Sequence, residues 1–152
     1  MNYFPTRPYN VIVVGSASGI GAATARFLAR QGVHVACLDR ETAAVAAVVE
    51  KIVAEGGSAE AHHADLCEPS SIAMACAAAC ESVYQIHGMV NCAGITGRTN
   101  IPGHEVDLDD FDLVYRINLR GAKALTPSPT PDRSAPKWQT FAPPRGWLLL
   151  RR

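Results

Sequence analysis

Residues 11–21 read VIVVGSASGIG, and this stretch decides the fold. The β-branched run at 11–14 is typical of a buried parallel strand, and it ends at Gly15. Glycine recurs at positions 19 and 21, where a helical pattern begins. Such a strand–turn–helix lets the backbone approach a phosphate group closely, and the start of the helix offers unpaired N–H groups to it. The alternative is a tight turn that binds nothing.

Short apolar runs and amphipathic stretches alternate on both sides of this turn. The pattern predicts strands at 11–14, 33–38, 58–63 and 88–92, and helices at 19–30, 42–55, 69–86 and 108–125. Regular alternation implies a parallel sheet with helices on both faces and right-handed crossovers. The predicted fold class is therefore α/β, a doubly wound parallel sheet with strand order 3-2-1-4, truncated after about four βα units.

A change of composition divides the chain. Residues 10–123 contain two prolines, whereas 124–152 contain six, which forbid a continuous helix or a central strand there. We therefore predict an N-terminal extension at 1–9, an incomplete dinucleotide-binding domain at 10–123 and a proline-rich irregular tail at 124–152. A linker or a peptide ligand would have such a composition. A shifted reading frame or an altered exon end is favoured, because the break falls inside a helical pattern.

The overall composition excludes several classes of protein. The 14 Lys and Arg residues balance 14 Asp and Glu, which argues against a nucleic acid or a membrane surface as partner. No apolar run is long enough to span a membrane, and the first ten residues lack the apolar segment of an export signal. The five cysteines are an odd number without zinc-site spacing, which predicts reduced thiols and no metal site. We expect a cytoplasmic protein.

Asp39 ends the second predicted strand, about twenty residues after the glycine turn. A carboxylate at this position can accept hydrogen bonds from an adenosine ribose, and it repels a 2′-phosphate. Arg40 beside it could instead pair with such a phosphate. The balance predicts NAD rather than NADP as the cofactor. The alternative for Asp39 is a solvated charge at the end of a strand.

Four motifs along residues 10–123, in order, resemble those of the classical short-chain dehydrogenases/reductases. The glycine turn is similar to the family's TGxxxGxG motif, with Val14 in place of threonine. Asp65-Leu66 resembles the Asp-Val or Asp-Leu pair that contacts adenine. The stretch at 91–94 (NCAG) resembles the NNAG motif, and that at 117–121 (INLRG) resembles the NVxG or NLxG motif.

The resemblance implies a Rossmann-type fold, NAD(P) binding and hydride transfer between the nicotinamide cofactor and a small alcohol or ketone. Asn118 matches the asparagine of the family's Asn-Ser-Tyr-Lys catalytic set. Taken with the glycine turn and the strand-end charges, the predicted cofactor-binding residues are Gly15, Ser16, Ser18, Gly19, Ile20, Gly21, Asp39, Arg40, Asp65, Leu66, Asn91, Ala93 and Gly94.

The remaining members of the catalytic set are absent from this sequence. The family uses a Tyr with a Lys four residues later, and none of the four tyrosines has a lysine at that spacing. Ser128 and Ser134 lie in proline-rich sequence with no strand before them. We therefore expect the chain to be inactive and the family's usual oligomer interface to be missing. The alternative is a non-catalytic nucleotide-binding or partner-binding remnant, or a truncated product.

Overall fold

Four parallel strands form one sheet in the order β3-β2-β1-β4, in a computed structural model that describes residues 9–83 and 85–126. The strands are β1 (Tyr9–Val14), β2 (Val33–Asp39), β3 (Ser58–His63) and β4 (Gly88–Asn91). The predicted fold class and strand order are confirmed. Most of the predicted N-terminal extension, and the tail beyond residue 126, lie outside the described residues.

Helices connect the strands and cover both faces of the sheet. They are α1 (Gly19–Arg30), α2 (Thr42–Ala54), α3 (Pro69–Glu81) and α4 (Leu108–Tyr115). A short 3-10 turn at Gly103–Glu105 precedes α4. A π-helical segment at Arg116–Gly121 continues α4 into one last turn, α5 (Ala122–Ala124).

The two faces of the sheet carry separate cores, because successive side chains of a strand point to opposite sides. On one face, Ile12, Val14 and Leu38 pack in a cluster with residues of α3 and with Ile117. On the other face, Val13, Val35 and Cys37 pack with residues of α1 and α2, such as Ala25 and Val45. A doubly wound sheet therefore has no solvated face over its central strands.

The register of the strands brings their carboxyl ends to one edge. Val14 at the end of β1 lies beside Leu38 of β2 and beside Asn91 of β4. Asp39, the next residue of β2, lies beside His63 of β3. The loops that leave these strands therefore start side by side, which is where open α/β sheets bind ligands.

The third helix is shorter than predicted, because α3 ends at Glu81 rather than near Ile86. Ser82 follows it, and its Oγ lies 3.0 Å from the carbonyl oxygen of Ala79 and 2.5 Å from Oε1 of Glu60. A serine hydroxyl that binds a carbonyl of the last turn competes with continuation of the helix. The apolar pattern carries no signal of this competition.

The last helix spans the predicted length, but its centre is π-helical. At the end of that segment Gly121 packs so closely on Leu66 that an added Cβ would lie 2.7 Å from the Leu66 Cβ. Leu125, just after α5, is buried in the core. The helices and strands of the described residues therefore run from Tyr9 to Ala124.

Candidate cofactor-binding site

A cleft with a volume of about 360 Å³ opens at the carboxyl ends of β1, β2 and β4. Eleven of the thirteen predicted cofactor-binding residues line it, namely Gly15, Ser18, Gly19, Ile20, Gly21, Asp39, Arg40, Asp65, Leu66, Ala93 and Gly94. Ser16 and Asn91 do not. The structure therefore brings residues from four separate motifs to one place.

The glycine turn passes close to the loop after β4. Gly15 has φ +75°, and an added Cβ would lie 2.5 Å from the backbone nitrogen of Ala93. At Gly21 an added Cβ would overlap the carbonyl oxygen of Gly15. Both positions need glycine because backbone atoms occupy the space of a side chain. The turn is thereby held tightly between β1, α1 and the β4 loop.

The start of α1 faces the cleft. Gly19 has φ +52°, and nothing lies within 4 Å of a Cβ built on it, so this side of the turn is open. Ser18 is the N-cap residue, and its side chain makes no capping hydrogen bond. The first N–H groups of a helix have no partners within the helix. A negatively charged group in the cleft could therefore receive hydrogen bonds from this end of α1.

Ser16 was predicted to bind the cofactor, but it does not line the cleft. It is fully buried, and its Oγ donates a hydrogen bond to the carbonyl oxygen of Leu38 at 3.2 Å. The Gly15 N–H donates to the same oxygen at 2.8 Å. The hydroxyl group therefore ties the turn to β2, and Ser16 does not line the cleft; its role as a phosphate donor stays a prediction.

Asp39 stands half-buried at the wall of the cleft. Its Oδ2 accepts a hydrogen bond from the Ala17 N–H at 2.9 Å, and its Oδ1 accepts one from the Glu41 N–H at 3.0 Å. The carboxylate thus links the glycine turn to the loop after β2. A carboxylate has about four acceptor sites, so it retains capacity for further donors.

Arg40 and Glu41 follow Asp39 and also line the cleft. The Nε atom of Arg40 lies 3.2 Å from Oε1 of Glu41. Both side chains are largely exposed. Glu41 was not among the predicted site residues, although its position directly after the Asp-Arg pair was a signal.

Asp65 and Leu66 form the wall on the other side of the cleft. Oδ1 of Asp65 accepts from the Cys67 N–H at 2.8 Å, and its own N–H donates to Oγ of Ser71 at 3.0 Å. Leu66 is buried in the core beneath the cleft. The carboxylate therefore shapes the turn into α3, and the leucine gives the cleft an apolar floor.

The loop after β4 lines the cleft through its backbone and small side chains. Asn91 is exposed and lies outside the cleft, because its Oδ1 turns back to accept from the Ala93 N–H at 3.1 Å. The following residues Cys92, Ala93, Gly94 and Ile95 do line the cleft. Asn91 thus bends the loop into the cleft and does not itself enter it.

Asn118 clamps this loop from the π-helical segment. Its Oδ1 accepts from the Ile95 N–H at 2.9 Å, and its Nδ2 donates to the Ile95 carbonyl oxygen at 2.7 Å. Gly94 passes close by, and an added Cβ there would lie 3.1 Å from Asn118 Oδ1. In the described part of the chain the amide group of Asn118 therefore makes contacts of a structural kind.

Seven lining residues were not predicted, namely Val14, Ala17, Glu41, Ala64, Cys92, Ile95 and Ile117. All seven lie within or directly beside the motifs, so extending each motif by one residue would have found them. Ile117 begins the motif at 117–121, and it is also a core residue.

The cysteines and the acidic residues suggest no second site. All five thiols are free, and burial raises the pKa of Cys37 and of Cys76 to about 11. Over residues 9–83 and 85–126, no three His, Cys, Asp or Glu side chains are grouped so that they could hold a metal ion. The same residues include no helix that is long and apolar enough to cross a membrane.

Comparison with known proteins agrees with this geometry. The family model for short chain dehydrogenases matches residues 9–132. Cyclohexanol dehydrogenase from Acinetobacter sp. (strain SE19) is 37% identical over 108 residues, which are 71% of this chain and 43% of that protein. The chain thus spans less than half the length of this curated relative.

Solved structures share the fold. A dehydrogenase/reductase from Sinorhizobium meliloti 1021 superposes with a TM-score of 0.72 at 34% identity, over 77% of this chain and 46% of that one. A metagenomic short-chain oxidoreductase in complex with NADP superposes with a TM-score of 0.71 at 32% identity, over 77% of this chain and 52% of that one. This chain therefore belongs to the classical short-chain dehydrogenase/reductase family.

Proposed function

We propose that this chain is the nicotinamide-dinucleotide-binding portion of a short-chain oxidoreductase and that it prefers NAD to NADP. The single observation that carries the proposal is the position of Asp39. Its carboxylate lies in the same cleft as the glycine turn, to which it is bound through the Ala17 N–H. A ribose bound there would meet an acceptor, whereas a 2′-phosphate would meet a negative charge.

The residues of the cleft fit the parts of a dinucleotide. The open side of the turn at Gly19 leaves room for a pyrophosphate beside the first N–H groups of α1. Asp65 and the apolar floor of Leu66 would hold the adenine side, and Gly94 and Ile95 would hold the nicotinamide side. When bound, the dinucleotide supplies the hydride donor or acceptor. The residues of this chain bind and orient it.

The preference for NAD follows from charge. A 2′-phosphate carries close to two negative charges at neutral pH, and unlike a ribose hydroxyl it cannot donate a hydrogen bond to a carboxylate. Asp39 already accepts two backbone N–H groups, which hold it in place at the wall of the cleft. Arg40 opposes this preference, because its guanidinium group could pair with a 2′-phosphate. The metagenomic relative is in complex with NADP, so membership of the family does not by itself fix the dinucleotide.

We further propose that these 152 residues bind the dinucleotide without turnover. Reduction of a ketone needs a proton donor at the carbonyl oxygen, and the sequence contains no Tyr with a Lys four residues later. Asn118, the catalytic-set residue that is present, has its amide group on Ile95. A small alcohol or ketone would be the substrate of the complete oxidoreductase. The runner-up function is a nucleotide-binding or partner-binding protein without catalysis.

The test is a calorimetric titration of the 152-residue chain with NADH and NADPH. We expect binding in the millimolar range, about −4 kcal/mol, with NADH the tighter ligand. Asp39→Ala should weaken NADH binding more than NADPH binding. The exposed Asp112 serves as the matched control, because it lies outside the cleft, and Asp112→Ala should leave both affinities unchanged.

Equal loss of both affinities in Asp39→Ala would remove Asp39 from the ribose role. A thermal melt of each variant separates loss of binding from loss of folding. The chain should also be mixed with NADH and a panel of ketones, where we expect no rate above background. Turnover in that assay would contradict the second proposal and leave the binding proposal intact. Absence of any binding would favour the partner-binding alternative.

A further inference from the structure

Three charged residues stand in a row where β2 ends and α2 begins. They are Asp39, Arg40 and Glu41, and all three line the cleft. The side chains of Arg40 and Glu41 are paired, with 3.2 Å between Nε and Oε1. The backbone of Glu41 is fixed as well, because its N–H donates to Asp39 Oδ1. The ion pair is thus built on the residue that faces the ribose in the proposed function.

Arg40 has no cationic companion in the cleft. Among the described residues that line the cleft, Arg40 is the one cation, and the lining also includes three carboxylates, those of Asp39, Glu41 and Asp65. A 2′-phosphate would need this guanidinium group, because nothing else in that lining could neutralise it. Whatever engages Arg40 therefore controls whether a phosphate can be accepted.

We propose that Glu41 is a second specificity-determining residue, which excludes NADP by holding Arg40 in the ion pair; this inference rests on the proposed function. Asp39 repels the 2′-phosphate directly. Glu41 acts by occupying the Nε edge of the guanidinium group that would otherwise attract it. Arg40 is thus a residue that could bind the 2′-phosphate of NADP, and the next residue, Glu41, holds it in an ion pair.

The size of the effect is modest, because both side chains are largely exposed. An exposed ion pair contributes little to stability, but here it competes with a ligand that carries nearly two charges. A guanidinium group released from the ion pair and lying about 4 Å from one phosphate charge in water would strengthen binding by about fivefold. Glu41→Gln should therefore strengthen NADP binding by about fivefold and change NAD binding by less than twofold.

The experiment measures NAD⁺ and NADP⁺ binding by calorimetry, with a thermal-shift assay in parallel. The variants are Glu41→Gln, Arg40→Ala and the double variant. If Glu41 acts through Arg40, the gain in NADP⁺ affinity seen in Glu41→Gln should be mostly absent when Arg40 is already alanine. The matched control is Glu105→Gln, which removes a carboxylate 3.7 Å from the imidazole of its neighbour His104, outside the cleft.

Each outcome of this experiment either supports or overturns the inference. No gain in NADP⁺ affinity in Glu41→Gln, with normal NAD⁺ binding, would overturn the inference and leave the proposed function standing. An equal gain in the Arg40→Ala background would also overturn it, because the effect would then be simple repulsion by Glu41. Failure of the unaltered chain to bind either dinucleotide would overturn the proposed function, and this inference with it.

Discussion

Asn118 uses both ends of its amide group on one residue, accepting from the Ile95 N–H and donating to the Ile95 carbonyl oxygen. These two hydrogen bonds join the π-helical segment to the β4 loop. We predict that Asn118→Ala lowers the free energy of unfolding by about 1–3 kcal/mol, since each of the two hydrogen bonds contributes about 0.5–1.5 kcal/mol. Urea denaturation measures the change. The control is Leu119→Ala at the exposed next position. Equal losses in both variants would contradict a clamp.

The glycines of the turn differ in what they can tolerate. At Gly21 a methyl group would overlap the Gly15 carbonyl oxygen, whereas at Gly19 it would enter open space at a strained φ of +52°. We predict that Gly21→Ala prevents cooperative folding or destabilises it by more than about 3 kcal/mol, and that Gly19→Ala costs about 1 kcal/mol. Thermal melts of the two variants compare them directly. A Gly19→Ala loss as large as that of Gly21→Ala would show that strain outweighs steric overlap.

Single residues were predictable where their role is local. Gly15 and Gly21 follow from the need for close backbone approach, and Asp39 from its position at the end of a strand. Ser16 and Asn91, which were also predicted, do not line the cleft, and the physical reason is the same for both. Each side chain turns toward a backbone group that the sequence does not reveal, the Leu38 carbonyl for Ser16 and the Ala93 N–H for Asn91.

At the scale of elements, the strands and most helices were predictable because apolar periodicity reflects burial on each face of the sheet. Two features were not. The end of α3 depends on the Ser82 hydroxyl, and the π-helical segment at Arg116–Gly121 is a shift of backbone hydrogen bonds that leaves the side-chain pattern nearly unchanged. The apolar periodicity carries no signal of either feature.

A cluster of polar side chains around Glu60 joins the edge strand β3 to the end of α3. Oε1 of Glu60 lies 2.5 Å from Ser82 Oγ and 3.0 Å from His62 Nε2, with His34 Nε2 at 3.7 Å. Burial alone raises the pKa of Glu60. The hydrogen bonds from Ser82 and His62, together with the charges of His62 and His34, outweigh it and bring the pKa below its ordinary value of 4.5.

A carboxyl group whose pKa is lowered in the folded state stabilises the fold at any pH above its ordinary pKa. This stability is lost as the pH falls through the folded-state pKa. We therefore predict that Glu60→Gln reduces stability at pH 7, by less than about 1 kcal/mol because the group is partly exposed. It should also flatten the fall in stability below pH 4.5. Urea denaturation from pH 6 to pH 3 measures both effects. Glu50→Gln is the control, at an exposed position of α2. Parallel pH curves for the two variants would contradict the role of Glu60.

At the scale of the whole molecule, the outer edges of β3 and β4 have no strand partner in the described residues, and one helix exposes apolar side chains. Strand β4 pairs with β1, and its other edge has no strand partner within residues 9–83 and 85–126. Nearby, the last helix exposes Leu108, Phe111 and Leu119, each more than half accessible to solvent. An open strand edge and exposed apolar side chains on a helix are both features with which another chain can associate.

We predict that the 152-residue chain self-associates in the micromolar range, through the free edge of β4. In the described residues, the outer edge of β4 presents N–H and C=O groups without a strand partner, and a second copy can form hydrogen bonds with them. Apolar contact with the helix would bury surface but would not fix the orientation of the second copy. Sedimentation velocity over a hundredfold range of concentration should show dimers or larger species. Amide hydrogen exchange then separates the two surfaces, because edge pairing protects β4 amides as concentration rises, and helix packing leaves them unchanged. A monomer at every concentration, with a cooperative melt, would show that the edge is covered within the chain itself.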